Sequence, residues 1–305
     1  MNLDFKKNAK NVAKIILYPF MSLIFVCMRH KKYRIIDDEL TIMKVINEGY
    51  SISRFGDGEF LWILGKNKKS FQDNSEKMSN ELKTILQDYK LNNRKVLLGI
   101  YGTLNDLSKH TYKSKVFWKY FLIKYGKQVY NFLPDDVVYC DTAITRPYMD
   151  YKNKNFNVMR KKFDNLKKLW NNRDVIIVEG EYTRLGIGND LFDNCKSIKR
   201  IICPPKNAYY KYEDIAESIR RNADKKSLVL MSLGPTATIL SYNMSKEGYQ
   251  CIDTGHIDIE YMWFKNGATK KENIVGKYVN EVKKEKPDDI NDDKYFSQIL
   301  ETISL

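Results

Sequence analysis

The stretch Ser51-Ile-Ser-Arg54-Phe-Gly-Asp57-Gly-Glu59-Phe60 decides how the chain is read. Tyr50 to Phe55 alternates apolar and polar residues, the period of a short strand. Gly56 and Gly58 bracket an aspartate, which marks a tight turn, and an apolar run from Phe60 to Leu64 follows. Asp57 and Glu59 stand one residue apart and point the same way if the local backbone is extended. Paired carboxylate oxygens of that kind suit a hard cation such as Mg²⁺ or Mn²⁺, and through it a diphosphate. Arg54 offers a guanidinium fork to the same phosphate. Alone, an Asp-Gly turn is more often an acidic surface turn. The loops farther along give this one its meaning.

Six more apolar runs follow the strand at Tyr50–Phe55. They are Val96–Ile100, Val137–Cys140, Val175–Val178, Ile198–Cys203, Leu228–Met231 and Tyr249–Asp253. Helical patterns lie between them, near 74–89, 113–132, 156–170, 209–221 and 235–246. An earlier helix opens at Asp38-Glu39, shows Leu40, Met43 and Ile46 on one face, and closes at Gly49. Seven strands separated by helices predict an α/β, Rossmann-like, mainly parallel sheet flanked by helices on both faces.

In such sheets a ligand sits beyond the carboxyl ends of the strands, and the unusual polar residues of this chain collect there. Arg54, Asp57 and Glu59 follow the first strand, and Asp141 to Arg146 follow the third. Glu179 to Asp190 follow the fourth and include Arg184 and Asn189. Ser232 to Thr238 follow the sixth, and Asp253 to Glu260 the seventh. Within the sixth loop, Gly234-Pro235-Thr236 reads as a proline-started helix. The free N–H groups there, with the hydroxyls of Thr236 and Thr238, would receive an anion. No GxGxxG follows the first strand and no GxxxxGK[ST] occurs, so neither a standard dinucleotide site nor a P-loop is supported. If Ile257 starts a helix, His256 and Glu260 share a face. With Asp258 they could ligate a metal, hold a sugar hydroxyl or supply a base.

The chain has 305 residues and a net charge of +14. Up to Arg34, eight basic residues stand against Asp4 alone, which is half of that excess. They flank an uncharged run, Ile15 to Met28, shorter than the roughly 20 residues that span a bilayer. No small-residue cleavage site follows it. Residues 1–35 therefore read as a basic apolar segment lying in the plane of an anionic membrane, ahead of the alternative of a buried helix. The expected location is cytoplasmic, peripheral at the inner face of the membrane. Cys27, Cys140, Cys195, Cys203 and Cys251 form no CxxC pair, consistent with a reducing compartment. Residues 36–270 form the expected catalytic domain. Residues 271–305 read as a charged appendage with a short helix from Tyr295 to Ile303, which could serve homo-oligomer formation. No nucleic-acid motif is present, and no nucleic-acid partner is expected.

Four motifs in order carry a family resemblance: Arg54-Phe-Gly-Asp57-Gly-Glu59, Glu179 to Phe192, Leu233-Gly-Pro-Thr-Ala-Thr238 and Gly255-His-Ile-Asp-Ile-Glu260-Tyr261. Together they resemble the GT-D-type bacterial glycosyltransferases over roughly Asp37 to Phe264. The resemblance implies a nucleotide-sugar donor, expected to be a UDP-sugar, and a bacterial surface glycan or glycoprotein acceptor. It also implies a divalent metal on Asp57 and Glu59. The closing motif of the family often carries an acidic residue where this chain has Met262. On this reading Arg54, Arg184, Asn189, Asp190, Gly234, Thr236 and Thr238 surround the donor. Asp258 or Glu260, with His256, would orient or deprotonate the acceptor. The rival readings are a metal-dependent phosphoesterase acting on a nucleotide-linked substrate and a non-enzymatic basic membrane or nucleic-acid binding module.

Overall fold

The computed structural model describes residues 18–28, 31–66, 71–91, 95–279, 282 and 286–305. Most of the basic cluster (Lys6, Lys7, Lys10, Lys14 and Arg29) lies outside the described residues.

The sheet is built from β1 (Arg34–Ile36), β2 (Ser51–Arg54), β3 (Val96–Ile100), β4 (Val138–Asp141), β5 (Asp174–Gly180), β6 (Ser197–Cys203), β7 (Leu228–Ser232), β8 (Gln250–Asp253) and β9 (Ile299–Thr302). Their spatial order is β1-β4-β3-β2-β8-β7-β5-β6-β9. Every pairing between them is parallel. The seven expected strands are all present. The two others, β1 and β9, are three- and four-residue edge strands too short to show a period. β2 lies mid-sheet beside β8. The chain leaves β2 toward β3 on one side and reaches β8 from β7 on the other. Connections that part in this way open a crevice at the carboxyl edge.

Alternation along the strands sends side chains into two layers. Val175, Ile177, Leu228 and Leu230 face one core, while Ile176, Val178, Val229 and Met231 face the other. The first core is closed by α2 (Asp38–Glu48), α6 (Phe156–Lys167) and α9 (Ile257–Lys265). The opposite layer is closed by α4 (Glu76–Leu91), α5 (Tyr112–Phe132), α7 (Tyr212–Asn222) and α8 (Pro235–Lys246). α1 (Tyr18–Cys27) packs along the outside of α5, and α3 (Asp57–Ile63) follows β2. Among the described residues no helix is long and apolar enough to cross a membrane.

Two expectations are corrected. α2 begins and ends as predicted, with the Asp37 carboxylate accepting from Leu40 N and Gly49 left-handed at φ 75°. Its buried face, however, is Thr41, Ile42 and Val45, while Leu40, Met43 and Ile46 are exposed. Both stripes have helical spacing, and docking on β4 and α6 selects the first. In the tail, the expected helix from Tyr295 to Ile303 is one turn, α10 (Asp293–Ser297), followed by β9. Burial alternates along Ile299–Thr302, and the backbone groups of this strand find β6.

Candidate active site

A cleft of about 1210 Å³, counting the solvent at its mouth, opens at the carboxyl edge of β2, β8, β7 and β5. Arg54, Asp57, Glu59, Gly234, His256 and Asp258 line it. Arg146 after β4 and Thr183 after β5 line it too, so the five predicted loops, distant in sequence, contribute to one site.

The floor is a buried ion pair. Arg54 Nη2 lies 3.1 Å from Asp253 Oδ1, and its Nη1 donates to Thr145 Oγ1 at 2.6 Å and to the Thr142 carbonyl at 3.2 Å. Gly255 N donates to the same Asp253 carboxylate, whose Oδ2 lies 3.3 Å from Thr238 Oγ1. Burial still pushes the Asp253 carboxyl above its usual range, against the pull of Arg54. Gly255 makes this packing possible, because a Cβ there would sit 1.8 Å from Arg54 Nη2. Arg54 therefore locks β2 to β8. Two of its three guanidinium nitrogens are already committed to protein acceptors.

Asp57 and Glu59 fall in the first turn of α3 rather than in the extended backbone that would point them the same way, and there the helix dipole favours carboxylates. Glu59 Oε2 accepts from Gly56 N at 2.8 Å, the carboxylate half of a capping box, Gly56 having no side chain to supply the other. Burial raises the Glu59 pKa to about 7, with smaller contributions from the charges of Asp253 and Asp57. Such a concentration of negative charge is one that a divalent cation would relieve. Among the described residues no cluster of three or more His, Cys, Asp or Glu side chains stands at metal-binding spacing. The protein would therefore supply one or two carboxylates, leaving substrate phosphate and water to complete the shell, as Mg²⁺ commonly has it.

Several residues expected at the donor do other work. Arg184, in a left-handed conformation (φ 49°), turns away from the cleft and donates through Nη1 to the carbonyls of Gly276 and Asp288, each at 2.7 Å. Asn189 donates to Asp258 Oδ1 at 2.7 Å. Asp190 binds Lys167, Tyr261 and Lys265 at the junction of α6 and α9, and the Lys167 hydrogen bond holds its carboxyl well below the usual range. None of the three lines the cleft. Thr236 and Thr238 are buried behind the start of α8, and the Thr238 hydroxyl donates to the Arg54 carbonyl. At Gly234 (φ 57°) the approach to the helix is narrowed by Phe71, whose ring would lie 2.3 Å from any Cβ.

In the closing segment, Glu260 is fully buried and does not line the cleft. Its Oε2 accepts from Tyr148 N at 3.0 Å and Met149 N at 2.8 Å, and Oε1 lies 3.8 Å from Arg146 Nε. This corrects the expectation of an acceptor base: Glu260 pins the 145–150 loop. Asp258 does reach the cleft, but its carboxylate is occupied by Gly186 N, Asn189 and the buried Lys277 ammonium. His256 caps α9 and lines the cleft beside it.

Sequence reading missed much of the wall. Trp62, Phe71 and Tyr101 supply aromatic surface, and Pro204 to Asn207 supply the rim beyond β6. The strand-end rule that found the other loops applies equally to Pro204-Pro205. Tyr278 comes from the charged tail, where no local signal marks it.

The geometry has counterparts. A model of the glycosyltransferase GT-D fold matches residues 52–282. The chain is similar to a probable glycosyl transferase of Streptococcus gordonii, with 36% identity over 85% of this chain and 37% of that one. It is likewise similar to the glycosyltransferase GlyD of Streptococcus pneumoniae serotype 4, with 37% identity over 86% of this chain and 32% of that one. It therefore spans about a third of the length of these curated relatives. A solved structure of a glycosyltransferase from Streptococcus sanguinis superposes with TM-score 0.83 at 34% identity, covering 90% of this chain and all of that one. Another, described as a conserved domain with a distinct glycosyltransferase fold, gives the same TM-score at 34% identity over 89% and 96% of the two chains.

Proposed function

This chain belongs to the GT-D glycosyltransferase family, and from that premise we propose that it transfers a sugar from a nucleotide-activated donor, of the UDP-sugar class, to a bacterial surface glycan or glycoprotein. The observation that carries the reading is the cleft itself. It joins acidic groups on a helix start, a buried Arg54–Asp253 floor and aromatic walls at the divergence of β2 and β8. That is the form of a site for a polar, phosphorylated ligand with a flat base.

In this proposal Asp57 and Glu59 would hold Mn²⁺ or Mg²⁺, which when bound would neutralise charge on the departing nucleoside diphosphate. The cleft residues supply position and exclude water. The Arg54–Asp253 pair keeps β2 and β8 in register beneath the donor, and the Phe71 ring packed on Gly234 flanks the donor at the start of α8. Asp258 holds the 184–189 loop so that Thr183 and Leu185 form one wall. His256, at the start of α9, faces the position of the acceptor hydroxyl. The enzyme works peripherally at the cytoplasmic face of the membrane, a location supported by the basic excess before Arg34.

The test is product identity. Sugar nucleotides are incubated with candidate glycans, with and without Mn²⁺, and analysed by mass. A new glycoside with release of nucleoside diphosphate supports the proposal. Metal-dependent cleavage within the diphosphate, indifferent to acceptor, would assign the site to phosphoester chemistry.

A further inference from the structure

α1 reads Tyr-Pro-Phe-Met-Ser-Leu-Ile-Phe-Val-Cys and contains no charged residue. A helix that is apolar on all sides is normally enclosed by core or lipid. Here only Met21 is buried, while Phe20, Leu23 and Val26 are 64%, 62% and 77% exposed. With ten residues it is about 15 Å long, half of a bilayer core. It lies along α5: the Tyr18 and Tyr112 rings are 4.7 Å apart, and Lys119 donates to Ser22 Oγ at 2.8 Å.

α5 has five lysines and no acidic residue. Lys113, Phe117, Tyr120, Lys124 and Lys127 recur at i, i+4, i+7, i+11 and i+14, forming one exposed stripe. Lys124 rides over the rings of Tyr120 and Tyr125. Aromatic rings between lysines, beside an uncharged helix, match a headgroup boundary, where rings and lysine stems are buried and ammonium groups meet phosphate.

We propose that the α1–α5 face docks on an anionic lipid bilayer, with α1 in the plane of the interface and the Lys113–Lys127 stripe on the headgroups. The inference rests on the peripheral location proposed above and assigns it a surface. Through Tyr101, which lines the cleft and lies 4.4 Å from the Trp118 ring, α5 also backs the cleft wall.

The test is co-sedimentation of the full chain with vesicles of phosphatidylcholine, alone or mixed with phosphatidylglycerol, at low and high salt. Binding is expected only to the mixed vesicles and should weaken with salt. Replacing Lys113, Lys124 and Lys127 together by Gln should lower the partition coefficient by about 100-fold, from roughly fivefold per basic residue. Phe20→Ser, Leu23→Ser and Val26→Ser, which change exposed positions, should release the protein as well, with an unaltered circular dichroism spectrum. A parent that ignores the mixed vesicles overturns both the location and the surface. A parent that binds, with lysine variants binding equally, overturns the surface alone. A concentration-dependent dimer that the α1 variant dissolves, without vesicle binding, would give the face to a second copy. Turnover of a soluble acceptor is expected to be unchanged in every variant, so none of these failures touches the transferase proposal.

Discussion

Glu260 and Asp57 are both acidic residues of predicted site loops, and their surroundings separate them. Glu260 accepts two backbone N–H groups with one oxygen and faces Arg146 with the other. Glu260→Gln should therefore cost about 1–3 kcal/mol in urea unfolding by weakening a buried charged acceptor. Asp57→Asn should leave the unfolding midpoint in place and abolish metal-dependent donor binding by calorimetry. Unchanged affinity in Asp57→Asn would remove it from the site. Asp141 gives a prediction with a sign. Burial raises its pKa to about 6, although one of its oxygens accepts from Ala143 N and Gly102 N. The folded state then binds the proton more tightly than the unfolded chain, so this group's contribution falls as pH rises from about 4 to about 6 and is flat above. Asp141→Asn keeps an acceptor oxygen and removes the titration. Relative to the parent it should gain on the order of 2 kcal/mol across that window, read from unfolding at both ends. A pH-independent difference would refute the account. At this scale the sequence announced which residues are unusual but not where they point. Asp258 and Glu260 are two apart on one helix, and only docking against different loops makes one a cleft wall and the other a buried anchor.

At the scale of elements, pattern was legible wherever a segment buries a face or carries its own caps. The seven inner strands, Gly49 and the proline start of α8 are all visible in the chain, because each is fixed by local chemistry. The tail was not legible in this way. Its charge reads as solvated, yet Lys277 is buried against Asp258, Tyr278 lines the cleft, and Arg184 holds the Gly276 and Asp288 carbonyls. These contacts join residues some 20 to 100 positions apart, beyond any periodicity. Lys277→Met should leave the Asp258 carboxylate without its cation and cost about 3–5 kcal/mol. Adding Asp258→Asn should recover part of that loss, a coupling measured by a double-mutant cycle. Additive losses would mean that the pair is not coupled.

Across the whole molecule, the cleft draws residues from both halves of the sheet: Arg54 and Glu59 from the β2 side, Ser232 and Gly180 from the β7–β5 side. β2 and β8 meet through one paired register position, Ile52 with Ile252, supplemented by Arg54–Asp253 and by Ser51 Oγ accepting from Cys251 N. A ligand that bridges this junction stabilises the folded chain as one unit. Uridine diphosphate with Mn²⁺ at a hundred times its dissociation constant should add about 2.7 kcal/mol. For a chain of this size that amounts to a rise of several degrees in Tm, with a single transition before and after. The same addition to Asp57→Asn should produce no shift if the cation is held there. The junction itself can be probed with Gly255→Ala. Its Cβ would displace the Arg54 guanidinium, so the parent Tm should fall and the ligand-induced rise should shrink together. If Tm fell while the ligand shift stayed whole, the Arg54–Asp253 floor would be stabilising the sheet without shaping the donor site.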